Sequence, residues 1–336
     1  MKLKKFKTKQ KNKPHNHIYK MSTAFNNRVF GCVIVKAINA NYNADFTHQP
    51  RTLPDGTVYA TDKALKYTVR NYLNAQGEKL FFFKRLNDNL NPFDLDGTYN
   101  FLFPEDKEGK EKKVTIANLL SCIDIRFFGA TFANKKKNIS LSLHGPVQFT
   151  HGVNRFEEGI IYSEQIMSPF ADQKEDKEKN KDKKGETSYV ESQASTLGTQ
   201  FKLKEGHYVH HLSVNPRNLE DFNKAAGSDG ITTDDIAKLK EALRCGATFY
   251  DSASKAGVEN ELLLWVQLKE GSKLVLPSFV ELVNINESRE IDLAKVASLL
   301  AKPHIAAEID TIELYFNREA TTVINAPANA QQRELN

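Results

Sequence analysis

Lys63, Lys66 and Arg70 recur at helical spacing in "TDKALKYTVRNYL". At about 100° per residue they fall within about 60° of one another, opposite the apolar set Leu65, Val69, Tyr72 and Leu73. A cationic line of this kind suits a phosphate backbone, although on its own it equally describes a solvated helix face. Ahead of it runs a long polar segment, "NANYNADFTHQPRTLPDGTVYA" (39–60). A loop of that length inside a compact domain is usually functional or disordered. Its carboxylates Asp45 and Asp55 could each bind Mg²⁺ for phosphodiester cleavage, but single loop acids are ordinarily just solvated. His207, His210 and His211 follow in "GHYVHHLSV". On a strand the first and third share a face and the second points away, so the three cannot converge on one ion, and no metal site is expected. "SASKAG" (252–257) is a small-residue turn with one lysine, a shape that lets backbone N–H groups approach a phosphate, and equally an ordinary turn. The chain has no P-loop, nucleophile elbow, zincin helix or dinucleotide fingerprint, so no catalytic residue and no cofactor are expected.

The scaffold that must position these groups reads as α+β, an antiparallel sheet backed by helices. "RVFGCVIVKAI" (28–38) is a short buried strand, and the helix from Asp62 to about Asn74 has Thr61 as N-cap and Gly77 beyond its end. Residues 78–113 carry six phenylalanines among Asn, Asp, Gly and Pro, and form an irregular insertion. "LLSCIDIRFFGATF" and "NISLSLHGPVQFT" suggest a strand pair. Residues 152–200 read as a long projecting hairpin whose tip, 172–188, balances six acids against six lysines and is expected to be disordered. Strand 206–214 precedes a helix capped by Thr233 and ended by Gly246, followed by strand-like "ATFYD". "ELLLWVQL" and "KLVLPSFVELV" are read as strands, "DLAKVASLLA" as a helix and "AEIDTIELYF" as a last strand, with a flexible tail over 319–336.

The 336 residues suffice for a large core without metal or disulfides, and the three cysteines form no framework, which fits a reducing compartment. The net charge of +5 is misleading, because eight lysines lie within the first twenty residues and leave the remainder slightly acidic. Only local clustering can therefore argue for nucleic acid. The basic, Asn-rich segment 1–27 reads as a disordered tail, and Met21 marks an alternative start. Neither a signal peptide nor an apolar run of transmembrane length is visible, so a cytoplasmic protein with no membrane partner is expected.

Taken in order, these segments resemble the CRISPR-associated backbone-subunit family of type I effector complexes, the DevR branch of the RAMP superfamily and most closely its type I-B members. The resemblance spans about residues 28–270. It rests on "NYNADF" with Pro50-Arg51 and Thr61-Asp62, Leu65-Lys66, Arg70 and Leu73, then "DIRFFGATF" with "LHGPVQF", "STLGTQFKLKEGHYVHHLSVNP" and "SASKAG". "NYNADF" lacks a glycine usual in the family, and "TLGTQF" has Leu197 and Gln200 where Met and a basic residue are common. The resemblance implies an RRM-like (ferredoxin-like) palm, residues 28–318, with 78–113 as an inserted helical finger and 152–200 as a β-hairpin thumb. It also implies a non-catalytic subunit whose copies line up along the spacer of a CRISPR RNA (crRNA) beside other subunits of Cascade, the assembly that pairs guide with one target DNA strand. A filament holding any spacer must grip sugar and phosphate rather than read base edges. Arg51, Lys63, Lys66 and Arg70 would then neutralise phosphates, and Asn39, Asn41 and Asn43 would bond the backbone or 2′-hydroxyls. Gln148, Phe149 and the turn residues Ser252, Ser254 and Lys255 would line the same groove, with Gly198 beside it. Phe156, Ile166 and Met167 of the thumb would wedge between bases. The rivals are a type III-like subunit cutting target RNA through Asp45, repeat-RNA processing through His207 or His211, and a general single-strand RNA-binding module.

Overall fold

A computed structural model describes residues 23–106, 111–134, 138–171 and 194–335. The lysine-rich segment before Thr23 and the charged hairpin tip lie outside the described residues. The first strand, β1 (Val29–Ala40), is followed by β2 (Tyr59–Ala60) and by α1 (Asp62–Ala75). Next come α2 (Leu95–Leu102), α3 (Lys112–Leu120) and α4 (Ile123–Phe128), then the hairpin of β3 (Gly129–Asn134) and β4 (Ile139–His144). The short strands β5 (Val147–Phe149) and β6 (Gly152–Asn154) precede two long ones, β7 (Ile161–Ala171) and β8 (Ala194–Val214). Two helices, α5 (Glu220–Ala226) and α6 (Thr233–Phe249), lead into β9 (Val258–Leu268). The remainder holds β10 (Asn284–Ile285), β11 (Ile291–Asp292), α7 (Ala294–Leu300), α8 (Pro303–Ala306), β12 (Ile309–Phe316), β13 (Val323–Ile324) and β14 (Gln331–Arg333).

β1 sits at the centre of the large sheet, antiparallel to β8 on one side and β9 on the other. Its sequence shows no apolar–polar alternation because both faces are covered. Val29, Val33, Val35 and Ala37 pack in the layer of α1 and α6, whereas Phe30, Cys32 and Ile34 pack on the opposite side with Phe279, Val283, Ile285 and Val296. Leu65, Val69 and Leu73 anchor α1, and burying each such side chain contributes about 1.5–3 kcal/mol. A third core joins Phe81, Tyr99, Leu119, Ile125, Phe132 and Leu141. This third core draws on Ile125 of α4 and on the β3–β4 hairpin beyond residue 113, while Ile123, Phe127 and Phe128 of α4 pack in the first core.

Several elements differ from the sequence reading. The stretch 119–132 is helix before it is strand: α3 and α4 occupy most of it, and Gly129, with φ of +72°, ends α4. An unbroken apolar run fits a buried helix as well as a strand. "ATFYD" is not strand either, since α6 runs past Gly246 to Phe249, and its N-cap is Thr232, whose side chain accepts from the Asp235 N–H in a capping box. "KLVLPSFVELV" has no strand; Pro277 lacks an N–H, and Leu276, Phe279 and Val283 are buried from irregular backbone. At the amino end of the fold, residues 23–27 are anchored. Phe25 is buried, and its N–H donates to Ile231 O at 2.9 Å. The expected flexible tail is tied down over 319–335 as well: β13 pairs with β11, β14 pairs with β12, and Leu335 is buried.

Candidate nucleic-acid interface

The long polar segment is an ordered structure of two successive turns. Asp45 Oδ1 accepts from the Thr47 N–H (2.8 Å), the Thr47 hydroxyl (2.7 Å) and the Gln49 N–H (3.0 Å), closing the first turn. These bonds, chiefly the Thr47 hydroxyl, hold the Asp45 carboxyl below its usual range. Asp55 accepts from the Thr57 N–H at 2.9 Å and closes the second. Bridges Ala44–Pro50 and Thr52–Val58 zip the two turns. Asn43 then fastens the loop to α1, its Oδ1 accepting from the Thr61 N–H (2.9 Å) and hydroxyl (3.0 Å). Thr61 is the N-cap residue but makes no side-chain cap bond.

This loop, the first turns of α1, the end of α6 and the 252–257 turn enclose a cleft of about 630 Å³. Asn43, Arg51, Lys63 and Lys255 line it together with Tyr67, His151 and Tyr250. Lys63 is the most open of these cations, its side chain 82% exposed. Arg51 donates through Nε to Ala44 O at 3.1 Å, which orients the guanidinium. Lys255 Nζ donates to Asn41 O (2.6 Å) and Tyr42 O (2.7 Å), and burial pulls its pKa down to about 8. The Ser254 carbonyl accepts from the Asn41 N–H at 2.8 Å, so the "SASKAG" turn is clamped to the end of β1. Gly257 completes that turn at φ +99°, with Ile38 N–H bonded to its carbonyl at 2.9 Å. Ser252 is exposed and Ser254 half-buried beside it, their hydroxyls 3.5 Å apart.

The cationic line itself is divided. Lys66 and Arg70 keep only 13% and 15% of their side chains exposed. Lys66 pairs with Asp62 at 3.2 Å, approaches Gln148 Oε1 at 3.5 Å and lies over the Phe128 ring. Arg70 Nε donates to Asp124 Oδ2 at 3.1 Å, and its guanidinium lies 4.9 Å from the centre of Phe128. Asp124 is fully buried and also accepts from the Phe81 and Phe82 N–H groups at 2.8 and 2.9 Å. Arg70 is therefore first of all the charge partner of a buried carboxylate. Burial pushes the Asp62 carboxyl up, but bonds and charge from Lys63 and Lys66 outweigh this and hold it low.

Other expected contacts are placed elsewhere. Asn41 is 2% exposed, and its amide donates inward to His48 O at 3.0 Å; Asn43 spends its carbonyl on Thr61. Asn41 is thus enclosed with its Oδ1 unpaired among the described residues, and Asn43 lines the cleft with its carbonyl already used by the loop. Asn39 is exposed at φ +49° and accepts from the Tyr162 hydroxyl at 3.1 Å. Phe149 is buried against Phe128. Phe156 is 3% exposed and packed on His207 in the layer opposite α1, so it is a core residue and not a wedge. Ile166 is exposed on β7 opposite Gly198 of β8, and Met167 pairs with Thr196. Sequence reading missed Tyr67, Tyr250 and His151. Tyr67 carried a signal, lying four residues after Lys63 on the exposed side of α1.

The histidines are enclosed. His207 lies between Glu261 (Nδ1–Oε2, 2.6 Å) and Glu205 (Nε2–Oε1, 3.3 Å), and is 1% exposed. His210 Nδ1 donates to Thr150 O at 3.0 Å, and burial lowers its pKa to about 4. His211 accepts from the Phe279 N–H at 3.2 Å. Among the described residues no group of His, Cys, Asp and Glu is arranged to hold a metal ion, and no helix is long and apolar enough to cross a membrane.

Residues 27–298 match the family described as CRISPR-associated protein Cas7. The chain belongs to the Cas7 family. The fold is similar to that of a chain from a "CRISPR RNA-guided surveillance complex, pre-nicking", with a TM-score of 0.54 at 11% identity over 91% of this chain and 96% of that one. A second chain, from a "CRISPR RNA-guided surveillance complex", aligns at a TM-score of 0.42 and 13% identity, over 89% and 96% of the two chains. No curated protein matches. For this Cas7 chain the family match contains the polar loop, α1, the 252–257 turn and both long strands, β7 and β8.

Proposed function

We propose that this Cas7-family chain is a crRNA-binding backbone subunit of a type I CRISPR effector complex, Cascade, of the DevR, type I-B-like branch. Copies stand side by side along the spacer together with other Cascade subunits, and the guide they hold pairs with one strand of target DNA. The large sheet with α1 and α6 is an RRM-like palm, the unit around the third core is a finger, and the β7–β8 hairpin is a thumb. The carrying observation is the cleft where Arg51, Lys63 and Lys255 converge around the ordered Asn-rich loop, inside the segment matched by the family. A cleft lined by cations can hold a sugar-phosphate strand of any sequence.

The subunit works in the cytoplasm as a scaffold and breaks no bond. Asp45 spends one carboxylate oxygen on its own turn, which supports a structural role over type III-like target cleavage. His207 is enclosed by two glutamates, which argues against repeat-RNA processing there. Purification from a host carrying the CRISPR locus, without added nucleic acid, tests the reading. The RNA that comes along is expected to be spacer-containing guide; unrelated cellular RNA would point instead to a general single-strand binder. Incubating the assembled complex with complementary target RNA and Mg²⁺ is expected to leave the RNA intact, and periodic cuts lost in Asp45→Ala would restore the cleaving alternative.

A further inference from the structure

Beside the cations of the cleft stands an aromatic group that phosphate binding does not use. Tyr67 projects from α1 and is 42% exposed, although the other large apolar side chains of that helix, Leu65, Val69, Tyr72 and Leu73, are buried. Its ring meets Tyr250, just past α6, edge to face at 5.1 Å. On another side it lies nearly parallel to Phe83, with centroids 6.4 Å apart and planes 15° apart. Burial, with the charge and hydrogen bond of Tyr250, raises the Tyr67 phenol above its ordinary range. The two rings therefore brace each other in position. Lys63 is one helical turn before Tyr67, and Arg51 and Lys255 line the same cleft.

We propose that Tyr67 and Tyr250, whose rings stand 64° apart, form an aromatic platform on which one RNA nucleobase stacks on one ring face and meets the edge of the other, its adjoining phosphates lying on Lys63 and Arg51. The arrangement has the two parts that sequence-tolerant single-strand binding requires, a cationic track and a π-face on which any base can stack. Phenol edges fixed by each other offer no pattern matched to one base. The platform therefore adds affinity without selecting sequence, as a guide-holding subunit needs. Tyrosine also costs little ordering entropy, and here its rotamer is set by packing before RNA arrives. This inference rests on the RNA-binding reading above and adds a base contact that the phosphate contacts do not imply.

The test uses full-length chain freed of nucleic acid, with two probes: an unstructured oligouridylate, and an abasic strand with the same sugar-phosphate backbone. The variant Tyr67→Leu/Tyr250→Leu keeps apolar bulk and loses both π-faces. It is expected to bind oligouridylate about tenfold more weakly, with the slope of log Kd against log salt unchanged. On the abasic strand it should match the unsubstituted chain. Tyr67→Phe/Tyr250→Phe should bind both probes as the unsubstituted chain does. A 2-aminopurine placed in the RNA should be quenched on binding by the unsubstituted and Phe forms, and less so by the Leu form. An unchanged Kd of the Leu form on oligouridylate, or an equal loss on the abasic strand, overturns the platform. Lys63→Ala separates this from failure of the underlying reading, because it should flatten the salt slope on both strands whether or not a base stacks.

Discussion

At the residue scale, three cations with the same helical phase have three different jobs. Lys63 reaches solvent with only an exposed pair to its neighbour Asp62 at 3.2 Å, Lys66 is shared between Asp62 and Gln148, and Arg70 serves the buried Asp124. Their common phase was legible in the sequence, because a period of 3.6 fixes which residues share a face. What each would find on that face was not, because Asp124 lies 54 residues from Arg70, on α4. Alanine substitutions should separate them. Lys63→Ala is expected to change stability by less than about 0.5 kcal/mol and to lower the salt-dependence slope of RNA binding by about 0.7, the contribution of one neutralised phosphate on a single strand. Arg70→Ala should cost about 2 kcal/mol in urea unfolding while changing that slope by much less, because its charge is already paired. Asp124→Ala should cost more, about 3–5 kcal/mol, since it strands a guanidinium and two backbone donors together. Equal salt slopes for Lys63→Ala and Arg70→Ala would place both in the groove.

At the element scale, β1, α1, β9, β12 and the 206–214 part of β8 followed from local pattern, since a long apolar strand or a two-faced helix carries its own signal. The misread segments share a cause: they are apolar stretches without period, whose structure depends on what they pack against. "IDIRFF" coils because Asp124 must face the Phe81–Phe82 backbone, and "LVLPSFV" stays irregular at Pro277 while burying Leu276 and Phe279. The loop beside the cleft showed its polar composition in sequence, but not that Asp45 and Asp55 close its two turns and Asn43 ties it to α1. His210 gives this element level a measurable pH dependence. It projects from β8 beneath β6, where a Cβ on Gly152 would collide with the imidazole, and its Nε2 accepts from the Tyr42 hydroxyl at 3.4 Å. Burial is the main cause of its pKa of about 4, with Asp62 opposing and His151 assisting. The unfolded chain, with an ordinary histidine near pH 6.5, therefore binds a proton that the fold rejects. Stability from this group is complete above about pH 6.5 and falls away as pH drops towards 4, by about 3 kcal/mol. Urea unfolding across that interval should show the decline, and His210→Gln should remove about one proton's worth of slope. An unchanged slope in the variant would assign the titration to another group.

At the scale of the whole molecule, the charge distribution favours open association of copies. The cationic cleft lies beside the α1 and α6 layer, whereas a second cleft of about 460 Å³ lies with the opposite layer and is lined by Glu157, Glu158 and Glu287. Glu281 stands nearby, bonded to Arg155 at 3.1 Å. Two unlike surfaces on different sides of one subunit cannot make a two-fold contact with themselves. They suit a head-to-tail contact, which extends into a filament unless its rotation closes. A guide strand crossing successive cationic clefts would bring each subunit's acidic side towards its neighbour, in keeping with a body that is slightly acidic beyond its first twenty residues. Glu158→Lys/Glu287→Lys tests this without touching the groove, since both side chains are exposed and surface substitutions of this kind change stability by about 0.5 kcal/mol or less. On an RNA long enough for one subunit the variant should bind at least as tightly as the unsubstituted chain, because two negative charges have been replaced by two positive ones. On a spacer-length RNA native mass spectrometry should show fewer copies per strand than the unsubstituted chain loads, and the cooperativity of binding should fall. Full loading by the variant would show that the acidic side takes no part in the contact between copies, leaving shared RNA as the link that aligns them.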